Sequence, residues 1–171
     1  AHHRKLGVPG EEKFAGGGVS YCATCDGAFF RDKTAAVIGG GDVALEDAIF
    51  LSRICRKVYL IHRRDELRGA KTLQSRVFES EKIEVIWDTV VDSVEGENRV
   101  EQIAVSNKKT GEKKKIAVDG VFIAVGIEPE SAAFKGVLDM DKQGYIIAGE
   151  DGATSVPGVF AAGDVRTKQL R

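Results

Sequence analysis

The strongest chemical signal in the sequence is a pair of cysteines separated by two residues. Cys22 and Cys25 lie in the stretch SYCATCDGAFF, and Asp26 follows them directly. The CxxC spacing suits a disulfide that forms and breaks, because it commonly lowers the pKa of one thiol and so supplies the thiolate that exchange requires. An adjacent carboxylate could pass a proton to or from that thiolate. The sequence therefore predicts a redox-active dithiol with Cys22, Cys25 and Asp26 as catalytic residues.

Metal binding and inert packing are the alternatives for the cysteine pair. A structural zinc site needs four ligands, whereas only Cys55 and three histidines remain, and there is no second CxxC. Cys55 follows a predicted helix among apolar residues, which is typical of a buried small hydrophobic side chain. Asp26 could also serve simply as a helix or turn cap. We predict no metal site.

A second signal is a run of glycines between a predicted strand and a predicted helix. Gly39, Gly41 and Ala44 fit the pattern GxGxxA, with the strand predicted over 33–40 and the helix over 42–54. In dinucleotide-binding domains the first glycine permits a tight turn, the second lets the backbone approach a pyrophosphate, and the small third residue allows close packing. The helix N-terminus offers unpaired N–H groups to the anion. The alternative is a glycine turn without a ligand.

The end of the next predicted strand, over 57–64, indicates which dinucleotide would bind. An NAD site usually has an acidic residue there for the ribose 2′-hydroxyl, whereas a 2′-phosphate requires arginine. Here the strand ends in His62, Arg63 and Arg64, and Arg68 follows closely. Arginine binds phosphate oxygens in pairs, so the sequence favours NADPH over NADH. The alternative is a solvated basic turn that pairs with the two acidic residues after Arg64.

The elements around these residues follow a β-α-β-α-β order, which implies a parallel sheet with right-handed crossovers. A second helix is predicted over 70–80 and a third strand over 83–88, and Asp42 is predicted to cap the first helix. Residues 89–120 alternate apolar and polar side chains, which predicts an antiparallel meander. Its lysine run at 113–115 is predicted to form a solvated strand edge.

Length and composition limit the remaining possibilities. The 171 residues suffice for one ordinary domain with its own core. The net charge of −1 predicts no nucleic-acid partner. No apolar run approaches the length of a membrane span and no export signal is present, which favours a cytoplasmic protein. The chain begins without Met and stops soon after an apolar stretch, which predicts a segment of a longer protein.

Four stretches together resemble the low-molecular-weight, bacterial-type thioredoxin reductases: CATCDGAFF, VIGGGDVALEDA, HRRDELR and GVFAAGDV. They occur in the order of that family and cover essentially the whole chain. The resemblance implies an enzyme that passes electrons from NADPH through FAD to Cys22–Cys25 and on to thioredoxin. A flavin is the usual intermediary because nicotinamide delivers hydride, whereas thiols react by sulfur exchange.

The resemblance also implies roles for individual residues. Cys25 would be the thiol nearest the flavin, Cys22 the thiol that attacks the disulfide of thioredoxin, and Asp26 the acid/base. The glycine run and Ala44 would hold the pyrophosphate, the basic residues 62–68 would surround the 2′-phosphate, and the glycine and aspartate of AAGDV would contact FAD. The predicted cofactor-binding residues are Gly39, Gly40, Gly41, Asp42, Ala44, Glu46, His62, Arg63, Arg64, Arg68, Gly126, Gly163, Asp164 and Arg171.

The predicted fold class is α/β, a Rossmann-like three-layer ββα domain of the FAD/NAD(P)-binding type with a parallel central sheet and an antiparallel meander. Buried strands are also predicted over 121–129 and 158–165. The predicted domains are an inter-domain connector at 1–18, an NADPH-binding domain with the redox CxxC at 19–140, and a return connector with a partial FAD-domain strand at 141–171.

The family's N-terminal FAD fingerprint is missing from this sequence. We therefore expect the segment to bind NADPH but little FAD, and not to reduce thioredoxin from NADPH by itself. The complete enzyme is expected to be a cytoplasmic homodimer. Two alternatives stay open: the flavoprotein reductase of a peroxiredoxin (alkyl hydroperoxide) system, which shares this domain, and a non-catalytic NADP-binding module.

Overall fold

A computed structural model describes residues 1–168, which form two compact units. The larger unit spans Lys5–Val125, and the smaller unit combines Ala1–Arg4 with the chain from Gly126 onwards. No helix in the described part of the chain is both long enough and apolar enough to cross a membrane. The predicted domain boundaries at 18/19 and 140/141 stay a prediction.

The regular elements are short. In chain order, the strands are β1 (His2–His3), β2 (Val19–Ser20), β3 (Thr34–Gly39), β4 (Lys57–Ile61), β5 (Ile83–Ile86), β6 (Thr89–Glu95), β7 (Gln102–Asn107), β8 (Lys113–Ala117), β9 (Gly120–Ala124) and β10 (Ile127–Glu128). The α-helices are α1 (Ala23–Asp26), α2 (Asp42–Ser52) and α3 (Lys71–Glu79), and 3-10 helices cover Gly27–Phe30, Ala132–Phe134 and Gly163–Val165.

A five-stranded parallel sheet forms the centre of the larger unit. Its strands lie in the order β2-β9-β3-β4-β5. The chain leaves β3 towards β4 and β5 on one side, and later returns to β9 on the other. The order therefore reverses between β3 and β9, and such a switch point is where open α/β sheets bind ligands, beyond the carboxyl ends of the strands.

The larger unit has three layers because alternate residues of β3 face opposite cores. Ala35 and Val37 pack with the α2 helix in one apolar cluster. Ala36 and Ile38 pack in a second cluster with the β6-β7-β8 sheet. All four are 6% exposed or less, as expected for a strand that is covered on both faces. The predicted three-layer α/β fold is confirmed.

The predicted meander is also confirmed. Strands β6, β7 and β8 form an antiparallel sheet with a register shift between Val91 and Ser93. Strand β8 lies at the edge of this sheet, and its three lysines are exposed. Charged side chains on an edge strand discourage pairing with another chain.

In the smaller unit, β1 pairs with β10 in antiparallel fashion. The prediction of a buried strand over 158–165 is wrong. Phe160 makes a single bridge to Ala153, its side chain is 69% exposed, and residues 163–165 form a 3-10 helix. The apolar composition of the stretch predicted burial, but within residues 1–168 no neighbouring strand pairs along its length.

Candidate redox and nucleotide-binding site

Three predicted site segments of the larger unit follow parallel strands of the central sheet. The cysteines follow β2, the glycine run follows β3, and the basic residues follow β4. Because the carboxyl ends of parallel strands lie at one edge of a sheet, all three segments meet that edge. Only β9 separates β2 from β3, so at the usual strand spacing those two strands lie roughly 10 Å apart.

Cys22 and Cys25 form a disulfide with a Cα–Cα distance of 5.3 Å, so the predicted pairing is confirmed. Cys22 is the N-cap of α1, and its Sγ accepts the backbone N–H of Cys25 at 3.2 Å. The Thr24 hydroxyl lies 3.4 Å from the same sulfur, and it must be the donor because a disulfide sulfur carries no proton. Two donors therefore face Cys22 Sγ, and both would stabilise a thiolate there.

The carboxylate of Asp26 is held by a residue that the sequence patterns did not reveal. The Ser20 hydroxyl donates to Asp26 Oδ2 at 2.6 Å. Asp26 precedes the 3-10 helix Gly27–Phe30 but makes no side-chain cap to it, so the alternative of a simple cap finds no support. In the sequence, the serine two residues before Cys22 is the feature from which this hydrogen bond could have been predicted.

A buried carboxylate anchors the residue next to the disulfide. Glu11 is 2% exposed, and its oxygens accept the Tyr21 hydroxyl at 2.7 Å and the backbone N–H groups of Leu6, Gly7 and Val8 at 3.0, 2.7 and 3.4 Å. Burial raises the pKa of Glu11, but these hydrogen bonds outweigh burial and hold the pKa below its ordinary value. Burial and the Glu11 carboxylate raise the pKa of Tyr21, so its hydroxyl remains a donor.

The glycine run combines tight packing with one open position. A Cβ on Gly39 would lie 2.4 Å from the carbonyl oxygen of Ala124 and 2.7 Å from Cβ of Ala44. A Cβ on Gly40 would lie 2.3 Å from the His62 ring, whereas a Cβ on Gly41 would meet no atom within 4 Å. The first two glycines are thus required by contacts within the protein, and the third leaves room for a ligand to approach the backbone.

The prediction that Asp42 caps the first helix is wrong. The N-cap of α2 is Gly41, which has no side chain to offer, and Asp42 is the first helical residue. Its Oδ1 accepts the backbone N–H of Ala70 at 2.7 Å, the residue that precedes α3. The first N–H groups of α2 therefore lack a side-chain cap, as a phosphate site requires. Glu46 is exposed on the same helix.

The basic loop packs directly on the glycine run. The carbonyl oxygen of Gly40 accepts the backbone N–H groups of Arg68 at 2.7 Å and Gly69 at 3.1 Å. The His62 side chain is buried, and its Nε2 has no hydrogen-bond partner in the described chain. Burial lowers the pKa of His62, opposed by backbone hydrogen bonding at Glu66. The pKa of His62 therefore lies below its ordinary value, and its unpartnered Nε2 is enclosed by the protein.

The arginine side chains of this loop are not engaged by its own acidic residues. Asp65 pairs with Lys109 at 2.7 Å instead, and Lys109 also lies 3.1 Å from Asp88. Arg63 and Arg64 are exposed, and within residues 1–168 neither pairs with a carboxylate. The alternative of a basic turn neutralised by its own carboxylates therefore finds no support at Asp65.

The other predicted contacts lie in the smaller unit or beyond the described chain. The carbonyl oxygen of Gly126 accepts the Arg4 N–H at 2.9 Å. Gly163 starts a 3-10 helix with a φ of +74°, and Asp164 pairs with Lys168 at 2.5 Å. Arg171 lies outside the described residues. These four assignments stay predictions.

The third cysteine is confirmed as a buried apolar side chain. Cys55 is free and completely buried. Burial raises the pKa of its thiol to about 11, with the charge of Lys82 opposing the increase. A thiol of this kind is unreactive at neutral pH, so the sulfur chemistry of the chain belongs to Cys22 and Cys25.

Comparison with known proteins finds relatives in both sequence and structure. A thioredoxin reductase of Streptomyces coelicolor is 48% identical over 166 residues, covering 96% of this chain and 52% of the relative. One from Peptoclostridium litorale is 46% identical, covering 100% and 56%. The crystal structure of Lactococcus lactis thioredoxin reductase superposes with a TM-score of 0.91 at 45% identity, covering 100% and 57%. The chain thus spans about half the length of these relatives, and the resemblance found from its motifs is confirmed.

A family model described as pyridine nucleotide-disulphide oxidoreductase matches residues 1–171, the full length of the chain. The Cys22–Cys25 disulfide and the glycine run both lie at one edge of the central sheet. The chain belongs to the pyridine nucleotide-disulphide oxidoreductase family.

Proposed function

We propose that this chain is the NADPH-binding and disulfide-carrying part of a flavin-dependent thioredoxin reductase. The observation that carries the proposal is the placement of the Cys22–Cys25 disulfide and the Gly39–Gly41 turn at the same edge of one parallel sheet. Thioredoxin is the proposed partner, because the relatives are named thioredoxin reductases. A homodimer in the cytoplasm is the proposed state of the complete enzyme.

The residues at the sheet edge fit a phosphorylated dinucleotide. Gly41 leaves its backbone open beside the uncapped N-terminus of α2, which suits a pyrophosphate. Arg63 and Arg64 have no carboxylate partner in the described chain, and His62 Nε2 is buried without one. We propose that these three side chains, together with Arg68, surround the 2′-phosphate and that NADPH supplies hydride at this site. FAD, held by other parts of the complete enzyme, would convert hydride transfer into sulfur chemistry.

The cysteines themselves carry out two balanced exchange steps. The Cys22 thiolate attacks one sulfur of the partner disulfide, so that a mixed disulfide forms, the partner bond breaks, and the released thiolate takes a proton. Cys25 then loses its proton and attacks Cys22 Sγ, which restores the internal disulfide and releases the second partner thiolate to take a proton. Two electrons pass to the partner. The donors on Cys22 Sγ support its role as the first nucleophile.

Nucleotide choice is tested by calorimetric titration of the chain with 2′,5′-ADP and with 5′-AMP. We expect the wild-type chain to prefer 2′,5′-ADP, and Arg63→Ala with Arg64→Ala to remove at least about a hundredfold of that preference, since each charge-assisted contact contributes about 1.5–3 kcal/mol and about 1.4 kcal/mol corresponds to a factor of ten. The control is Arg53→Ala with Arg76→Ala, which removes the same charge from two exposed positions. Arg53 directly follows α2, and Arg76 lies in α3. Equal losses for both nucleotides would disprove the 2′-phosphate assignment.

Electron transfer is tested by mixing the reduced chain with oxidised thioredoxin and trapping free thiols with an alkylating reagent. We expect thioredoxin to gain two thiols as the Cys22–Cys25 disulfide returns. With NADPH but no flavin, we expect no transfer. A chain that reduces thioredoxin from NADPH without added flavin would contradict the proposed route.

A further inference from the structure

A buried serine connects the two chemical parts of the redox site. Ser20 is the last residue of β2, and its side chain is 6% exposed. Its Oγ lies 2.6 Å from Asp26 Oδ2, 3.0 Å from the backbone nitrogen of Cys22 and 3.3 Å from the Cys22 carbonyl oxygen. Ser20 is therefore in contact with the residues at both ends of the cysteine segment.

The direction of these hydrogen bonds follows from the single proton of a hydroxyl. The N–H of Cys22 has to donate, so it occupies a lone pair of Ser20 Oγ. The hydroxyl proton then has two possible acceptors, and the carboxylate is both the closer and the charged one. Ser20 thus donates to Asp26 and accepts from Cys22, which ties the carboxylate to the backbone of the first cysteine.

This arrangement leaves the two carboxylate oxygens in different positions. Oδ2 of Asp26 is occupied by Ser20, and no partner of Oδ1 is found in the described chain. Ser20 is fixed by β2, which pairs with β9 at Ser20 and Phe122. The serine therefore fixes the carboxylate relative to the central sheet and leaves Oδ1 available.

We propose that Ser20 is a positioning residue for the proton transfer that accompanies thiol–disulfide exchange at Cys22–Cys25. By holding Oδ2, it presents Oδ1 of Asp26 as the oxygen that takes and returns the proton of the cysteine pair. This inference rests on the proposed function and assigns to the serine a role that acts entirely through Asp26.

The test measures the rate at which the reduced chain exchanges with oxidised glutathione, followed by acid quenching and mass spectrometry. We expect Asp26→Asn to slow exchange by about a hundredfold, the low end of the range of acid–base contributions. Ser20→Ala should slow it by about tenfold, a part of that loss, because the serine acts through Asp26. Ser20→Thr, which keeps the hydroxyl, should restore a rate close to that of the wild type. The control Ser52→Ala removes a hydroxyl that bonds only the Ile49 carbonyl of α2, and it should leave the rate unchanged.

A double-mutant cycle separates positioning from general disruption of the cysteine backbone. If Ser20 acts through Asp26, the variant with both Ser20→Ala and Asp26→Asn should exchange at the rate of Asp26→Asn alone. A further tenfold loss in the double variant, or an unchanged rate in Ser20→Ala, would overturn the inference. Should Ser20→Ala not fold, as judged by circular dichroism, Ser20→Gly removes the same hydroxyl and takes its place in the cycle. A wild-type chain that does not exchange at all would overturn the proposed function, and the inference with it.

Discussion

Replacement of Glu11 by alanine should destabilise the larger unit far more than any other change at a charged residue nearby. The Glu11 carboxylate accepts three hydrogen bonds of 3.0 Å or less, from Leu6, Gly7 and Tyr21, and a weaker one from Val8. Each ordinary hydrogen bond contributes about 1 kcal/mol net, and a bond to a charged group contributes more. The three short bonds therefore predict that Glu11→Ala lowers the free energy of unfolding by about 3 kcal/mol.

The adjacent glutamate is a matched control for this measurement. Glu12 pairs with Lys5 at 2.7 Å, but both side chains are exposed, and exposed ion pairs contribute at most about 1 kcal/mol. Urea unfolding of wild type, Glu11→Ala and Glu12→Ala at pH 7 gives the comparison. Similar losses for the two variants, or a loss below about 1 kcal/mol for Glu11→Ala, would refute the importance given to the buried carboxylate.

The contribution of Glu11 to the free energy of unfolding should depend on pH. The pKa of Glu11 in the folded chain lies below its ordinary value of 4.5. Its ionised form therefore contributes stability above pH 4.5, and this contribution is lost as the pH falls through the lower, folded-state pKa. The difference in unfolding free energy between wild type and Glu11→Ala should be larger at pH 7 than at about pH 3.

Two other predictions concern the glycine run and the third cysteine. Gly40→Ala places a Cβ against the His62 ring and should lower the free energy of unfolding in urea by about 1–3 kcal/mol. In Gly41→Ala the new Cβ meets open space, so this variant should bind 2′,5′-ADP more weakly with little change in stability. The opposite pattern would contradict the roles assigned to the two glycines. After reduction, iodoacetamide at neutral pH should modify Cys22 and Cys25, whereas the buried Cys55 should react only once the chain is unfolded. Mass spectrometry of peptides measures the labelling at each cysteine. Rapid labelling of Cys55 in the folded chain would contradict its burial.

The sequence predicts the central fold well because local patterns determine it. An apolar stretch marks the strand over 33–40, consecutive glycines mark the turn, and helical spacing of apolar residues marks the helix that follows. All three elements lie where the sequence predicts them. The lysine edge of the meander was predictable for the same reason. These features depend on residues that are close together in the chain.

The missed features depend on contacts that no local pattern encodes. Lys109 neutralises Asp65 from a turn 44 positions later in the chain. Asp42 has the residue type of a helix cap, yet its carboxylate binds Ala70, because the second helix begins beside it. Tertiary packing determined the partners of both carboxylates. The strand predicted over 158–165 is absent from the described residues because apolar composition alone does not supply a neighbouring strand to pair with.

The pairing of β1 with β10 has a consequence for the covalent course of the chain. These two short strands lead into and out of residues 5–125, and the Arg4 N–H donates to the Gly126 carbonyl between them. The larger unit is thus a continuous insertion whose entry and exit points lie side by side, the arrangement that tolerates circular permutation. A few residues of linker would join the two ends, and new termini in the exposed turn at 108–111 would leave the order of strands in the parallel sheet unchanged.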